Sequence, residues 1–75
     1  MLKKLKVTTI IKEPGFYSPH VATDEPSYAA LPNELIDDIH VGDEITVFSD
    51  SNLTYGGFEA IVIATPTANI ADKIN

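Results

Sequence analysis

Between Val41 and Thr65 the chain reads VGDEITVFSDSNLTYGGFEAIVIAT, and its apolar residues recur with the period of a β-strand, not that of a helix. Ile45, Val47 and Ser49 fall on one face, while Glu44, Thr46 and Phe48 fall on the other. This predicts a strand with one better-buried side, entered through the turn residues Gly42 and Asp43. Downstream, Phe58, Ala60, Val62 and Ala64 alternate with Glu59, Ile61, Ile63 and Thr65, so that beyond Glu59 both faces are apolar. A strand of this kind is central in a wrapped sheet or barrel, or has its second face covered by another chain. The intervening residues 50–57 exceed a two-residue hairpin turn and are rich in turn formers, which predicts an exposed, mobile loop.

The remaining segments are expected to pack around this pair. In residues 4–12, Lys4, Lys6, Thr8 and Lys12 oppose Leu5, Val7, Thr9 and Ile11, with Ile10 out of phase. That pattern predicts a first strand whose lysine face suits a sheet edge, where charge discourages stray pairing. Pro14 and Gly15 end it by turn chemistry. Residues 16–30 carry prolines and no clean period. Short strands near 20–23 and 28–31 are expected there, confined by proline to an edge or a bulge. Phe16, Tyr17 and Tyr28 form either an exposed aromatic contact surface or one end of a small core. From Leu31 to Ile39 the sequence suits a short helix capped by Asn33, with Leu35, Ile36 and Ile39 on its docking face. Pro66 stops the second main strand. Residues 67–75 then read as a flexible or helical tail in which Ile70 and Ile74 align.

Seventy-five residues suffice for a single small domain with little material for a deep active site. The expected fold is mainly β: a small, partly open β-barrel or a twisted antiparallel sheet with one short helix. The absence of cysteine removes disulfides, thiolate chemistry and cysteine-ligated zinc. No apolar run approaches the ~20 residues of a membrane-spanning helix, and no signal-peptide pattern occupies the N-terminus. The expected location is therefore the cytoplasm, or an assembled virion. With five lysines, no arginine and eleven carboxylates, the net charge is -6. That balance disfavours nucleic acid as a partner, because phosphate neutralisation dominates such binding.

Motifs for chemistry fail on spacing. His40 lies among Asp37, Asp38, Asp43 and Glu44, and His20 lies near Asp24 and Glu25, but neither group has a complete ligand set. Asp50, Asn52 and Thr54 have the alternation that opens a calcium loop, yet Tyr55 stands where that loop needs glycine and Ile61 where it needs glutamate. Gly56 and Gly57 lack the phosphate-loop lysine, and no serine sits in a nucleophile elbow. No cofactor, no metal and no enzymatic activity are expected.

The stretch Leu31-Pro32-Asn33-Glu34-Leu35, followed by Val41-Gly42-Asp43-Glu44-Ile45-Thr46-Val47, resembles the proline, short-helix, Gly-Asp and strand segment of the AbrB and MazE antitoxin family. The resemblance implies swapped-hairpin dimers that bind DNA. Read from the residues themselves, the leading expectation is a non-catalytic protein-protein interaction or assembly module, self-associating or heterologous, with Phe48, Tyr55, Phe58, Ile61 and Ile63 at the interface. Short, arginine-free, proline-containing chains are common among phage-encoded proteins, so a virion or head-tail structural component is a concrete version. The alternative is an acidic inhibitor or nucleic-acid mimic presenting Glu34, Asp37, Asp38, Asp43 and Glu44 to a basic partner.

Overall fold

The computed structural model describes residues 1–12, 19–52 and 55–73. Its first strand, β1 (Leu2–Ile11), is the longest and pairs on both sides. The N-terminal half of β1 runs antiparallel to β4 (Glu44–Ser49), and its C-terminal half runs antiparallel to β2 (His20–Thr23). The lysine-rich strand is thus not an edge. Between Val7 and Thr9 the register with β2 slips. This irregularity explains why Ile10 breaks the alternation: beyond the slip the strand's inward set changes phase, and Ile10, not Thr9, packs against the core.

The other strands complete a ring in the order β1-β2-β3-β5-β4, with β3 at Tyr28–Ala30 and β5 at Ala60–Ala64. All contacts are antiparallel except β3 with β5, which is parallel and rests on the single register pair Ala30 and Ile61. The small, mainly β barrel expected from the sequence is what forms, and its ring is closed. With β4 returning beside β1 after the consecutive strands β1, β2 and β3, the order is that of a Greek key. The short strands β2 and β3 are paired on both sides as well. Pro19, Pro26 and Pro32 flank these strands without interrupting them, which is why proline does not force them to an edge. A Cα radius of gyration of 11.1 Å matches the ~11 Å of a compact chain this long, so closure needs no strand from a second copy.

Inside the ring, Val7, Val21, Ala29, Ile45, Val47 and Val62 form an apolar cluster. The crossover from β3 to β4 adds Leu35 and Ile39, at 0% and 2% exposure, while Ile36 is half-buried. Their docking follows the apolar spacing of residues 35–39. The expected helix is only a 3-10 turn, Asn33–Leu35, and its cap is Pro32 with no side-chain hydrogen bond, not Asn33. Proline pre-sets φ there, and a segment this short gains too few backbone bonds to propagate a helix.

Val41 and Gly42 are the central residues of a turn closed by the Asp43 N–H donating to the His40 carbonyl (3.1 Å), with Gly42 at φ +95. Asp43 reinforces the turn by accepting the His40 N–H at 2.8 Å. The turn is stitched to β1: Gly42 N–H donates to Val7 O, and Val7 N–H donates to Asp43 O, each at 2.9 Å. After β5, Thr65 makes the stop. Its N–H donates to Ala68 O at 2.8 Å, and its hydroxyl oxygen accepts from the N–H of Thr67 and of Ala68. A single helical turn, α1 (Ile70–Lys73), follows, with Ile70 against the core. Ile74, Pro14 and Gly15 lie outside the described residues.

Two substitutions separate packing from backbone strain. Leu35→Ala removes a fully buried side chain and should cost about 3 kcal/mol in urea unfolding. Gly42→Ala meets no atom within 4 Å, so its loss should come from the positive φ alone, about 1 kcal/mol, with an unchanged m-value.

Candidate interaction surface

Strand pairing places directly opposed residues on the same side of a sheet, so the register identifies what the barrel shows to its surroundings. Val47 and Val62 oppose each other inside. One step along, Leu2 opposes Phe48, Phe48 opposes Ile61, Ile61 opposes Ala30, Ala30 opposes His20, and His20 opposes Ile11. These six outward residues form one continuous row around the barrel, leaving β1 near its C-terminal end and returning to it near its N-terminus. All but His20 are apolar. Ile63, two residues beyond Ile61, lies on the same outer side.

The row is unevenly covered. Leu2 is 61% exposed, Ile11, Phe48, Ile61 and Ile63 are half-buried, and Ala30 is only 6% exposed although it faces outward. The connection from β4 to β5 comes close to this seam as an arm. Within it, Tyr55 and Phe58 bond reciprocally, N–H to carbonyl, at 2.6 and 3.0 Å around Gly56 and Gly57. The two glycines have φ of 58 and 93, the values of a type I′ turn, which a side chain bearing a Cβ seldom adopts. The segment expected to be only a mobile loop therefore contains a two-residue hairpin turn. Leu53 and Thr54 lie outside the described residues.

This arm places its aromatic residues on either side of the seam. Tyr55 and Gly56 border an open depression with Ala30, Ile61, Leu31 and Pro19. Phe58 packs on His20, ring centroids 4.6 Å apart and planes inclined 32°, while His20 meets Tyr28 edge-on at 5.5 Å. The proposed interface residues are thus brought together in part. Phe48, Ile61 and Ile63 share the outer row, Tyr55 adjoins Ile61, and Phe58 belongs to the neighbouring ring cluster with Tyr28. His20 was not among the residues the sequence marked for this surface; only the strand register could have added it. Phe16 and Tyr17 lie outside the described residues.

The carboxylates marked as a partner surface divide by role. Glu34, Asp37 and Glu44 are exposed. Asp38 pairs with Lys73 at 3.3 Å, and Asp43 is engaged in the His40 turn, so these two are tied to the fold. Among the described residues, no group of three or more His, Asp or Glu side chains is arranged to hold a metal. At one mouth of the barrel, Lys3 meets Glu25 at 3.3 Å over a cleft of about 50 Å³ lined by Leu5, Thr23, Val47 and Ala60. Such a space holds a water or two, not a substrate. No described helix is long and apolar enough to cross a membrane.

Comparison with protein-family models, curated proteins and solved structures finds no match.

Replacing Gly57 with valine should loosen the arm, because the turn requires positive φ there. Hydrogen exchange should then quicken at Tyr55 and Phe58, while the interior amides of Val21 and Val62 keep their protection.

Proposed function

We propose that the chain is a non-catalytic assembly module that associates through the outer apolar row of its barrel. The observation that carries this reading is the unbroken register Leu2, Phe48, Ile61 across β1, β4 and β5, with Ile63 beside it. The interior has its own complete set of apolar residues, so these outer ones are not needed to fill the core. Their burial against a partner removes apolar surface from water at roughly 25 cal/mol per Å² before association costs. Beside this row, the outward residues Lys4 and Lys6 of β1 lie near Glu44 of β4, with Lys6 directly opposite Glu44. A face carrying both signs around an apolar centre can pair with a copy of itself, and a homo-oligomer is the form favoured here. A structural component of a phage particle is one setting for such a module, as is the cytoplasm.

The acidic-inhibitor reading is weaker, resting on three exposed carboxylates, Glu34, Asp37 and Glu44, the last directly opposite Lys6. The antitoxin-like reading, which implies a swapped-hairpin dimer that binds DNA, is less favoured because a ring of five strands from one chain leaves no strand for a copy to complete.

Introducing aspartate at Phe48 or at Ile63 places a charge in the proposed interface without touching the inner face. The wild-type chain should give an oligomeric mass by light scattering after size exclusion, and either variant should fall to the monomer mass with its β-sheet circular dichroism retained. A wild-type chain that remains monomeric at every concentration, or folded variants of unchanged mass, would overturn the reading.

A further inference from the structure

Phe48 stands at the middle of the register Leu2, Phe48, Ile61 on the outside of β1, β4 and β5. Two charged residues are placed symmetrically about it. Lys4 lies one strand to one side and two residues beyond Leu2, opposite Thr46. Glu59 lies one strand to the other side and two residues before Ile61, in the opposite direction along the sheet. The Asp50 N–H donates to the Glu59 carbonyl at 3.0 Å, which carries the ladder of β4 and β5 one step past Ser49 and Ala60 and keeps Glu59 in the outward phase. With strands ~4.8 Å apart and ~6.7 Å for two residues, each of the two charged positions is about 8 Å from Phe48 along the sheet.

Both side chains are exposed, and neither enters an ion pair among the described residues. The neighbouring charges are engaged elsewhere. Lys6 sits between Glu44, directly opposite, and Asp24, whose Oδ1 accepts the Lys6 N–H at 3.1 Å. Asp50 Oδ1 accepts the Asn52 N–H at 2.9 Å. The Met1 α-amino group, at the depression that Asp50 and Glu59 share, donates to the Ser49 carbonyl at 2.8 Å.

This layout selects how a second copy sits on the row. A copy meets the face by turning over about an axis that lies in the face. The axis through Phe48 at right angles to the line from Lys4 to Glu59 sets Phe48 on Phe48 and exchanges the two charges, so that Lys4 of each copy meets Glu59 of the other. The axis along that line sets Lys4 on Lys4 and Glu59 on Glu59, and like charges facing each other oppose binding. The curvature of the barrel carries β1 and β5 away from the second copy on either side of β4. Long side chains span that widening gap, and the flexible stem of lysine suits it.

We propose that two copies of the chain form a closed dimer about a two-fold axis through Phe48, with Lys4 of each copy paired to Glu59 of the other. This presupposes association through the outer row and adds the partner, the stoichiometry and the orientation. A self-complementary contact of this kind uses the same patch on both copies and leaves none to extend a chain.

The test is reversal and exchange of the two charges, read as mass and dissociation constant by sedimentation of the full chain at low salt. The wild-type chain should sediment as a dimer. Lys4→Glu and Glu59→Lys, both at exposed positions, should keep the β-sheet circular dichroism and weaken the dimer about tenfold, because each turns two attractive contacts into repulsive ones. Combining both substitutions in one chain, or mixing the two single variants in equal amounts, should return the affinity to within about threefold of wild type, since opposite charges face each other again. Added salt should weaken the wild-type dimer and strengthen that of either single variant. A wild-type chain that stays monomeric overturns both the proposal and the association surface beneath it. A dimer that Phe48→Asp dissociates but neither reversal weakens leaves that surface standing and overturns the two-fold pairing. Reversals that exchange or mixing does not rescue, or a wild-type mass that climbs past the dimer with concentration, overturn the pairing as well.

Discussion

Closing five short strands into a ring is the constraint on which the rest of this molecule depends. A barrel this narrow has room inside for one layer of modest side chains, and valine, isoleucine, leucine and alanine supply it. Closure also demands that one strand serve two neighbours. β1 does so by being long enough to pair with β4 at its start and with β2 at its end, changing phase between Val7 and Thr9 as it passes from one to the other. The stagger this creates determines which outward residues fall into line, so the apolar row on the exterior is a product of the same register that fills the interior.

The outside of the barrel is therefore as informative as its core. β5 is apolar on both faces because its inner residues complete the core, while Ile61 and Ile63 face outward beside Phe48. The arm carrying Tyr55 and Phe58 borders that exterior near Ala30, where the parallel seam rests on one register pair. It leaves the stretch toward Leu2 open. Barrels of this topology serve many roles, so the topology alone carries no function. The functional proposal rests on side chains in register.

Much of the fold was legible in the sequence because period-two alternation is a direct consequence of the pleat. The alternations at Ile45 and Val47 and at Ala60 and Val62 name the inner face of β4 and β5 correctly, and the short strands near His20 and Tyr28 were visible despite their prolines. What alternation could not reveal is pairing. Nothing local to Lys4 and Lys6 distinguishes an exposed face on an edge strand from one on a strand paired on both sides. Ile10 looked anomalous because the register irregularity that moves it inward depends on the partner strand. Asn33 had the right chemistry for a cap, but Pro32 already held the backbone, and a single turn does not call for more. The outward positions of Ile61 and Ile63 could be suspected from β5 and that of Phe48 from β4, whereas their alignment with Leu2 and the stacking of His20 under Phe58 are long-range facts that no window of sequence contains.

The claim that the outer row is an association surface is tested most directly by the solvent exposure of its methyl groups. A soluble paramagnetic agent, added to methyl-labelled protein at low and at high concentration, broadens only those methyls that water reaches. The account predicts that Leu2, Ile61 and Ile63 are broadened in dilute protein and become protected as concentration rises, while Val62 and Ile45 remain protected throughout. Outer methyls that stay equally accessible at every concentration would contradict it.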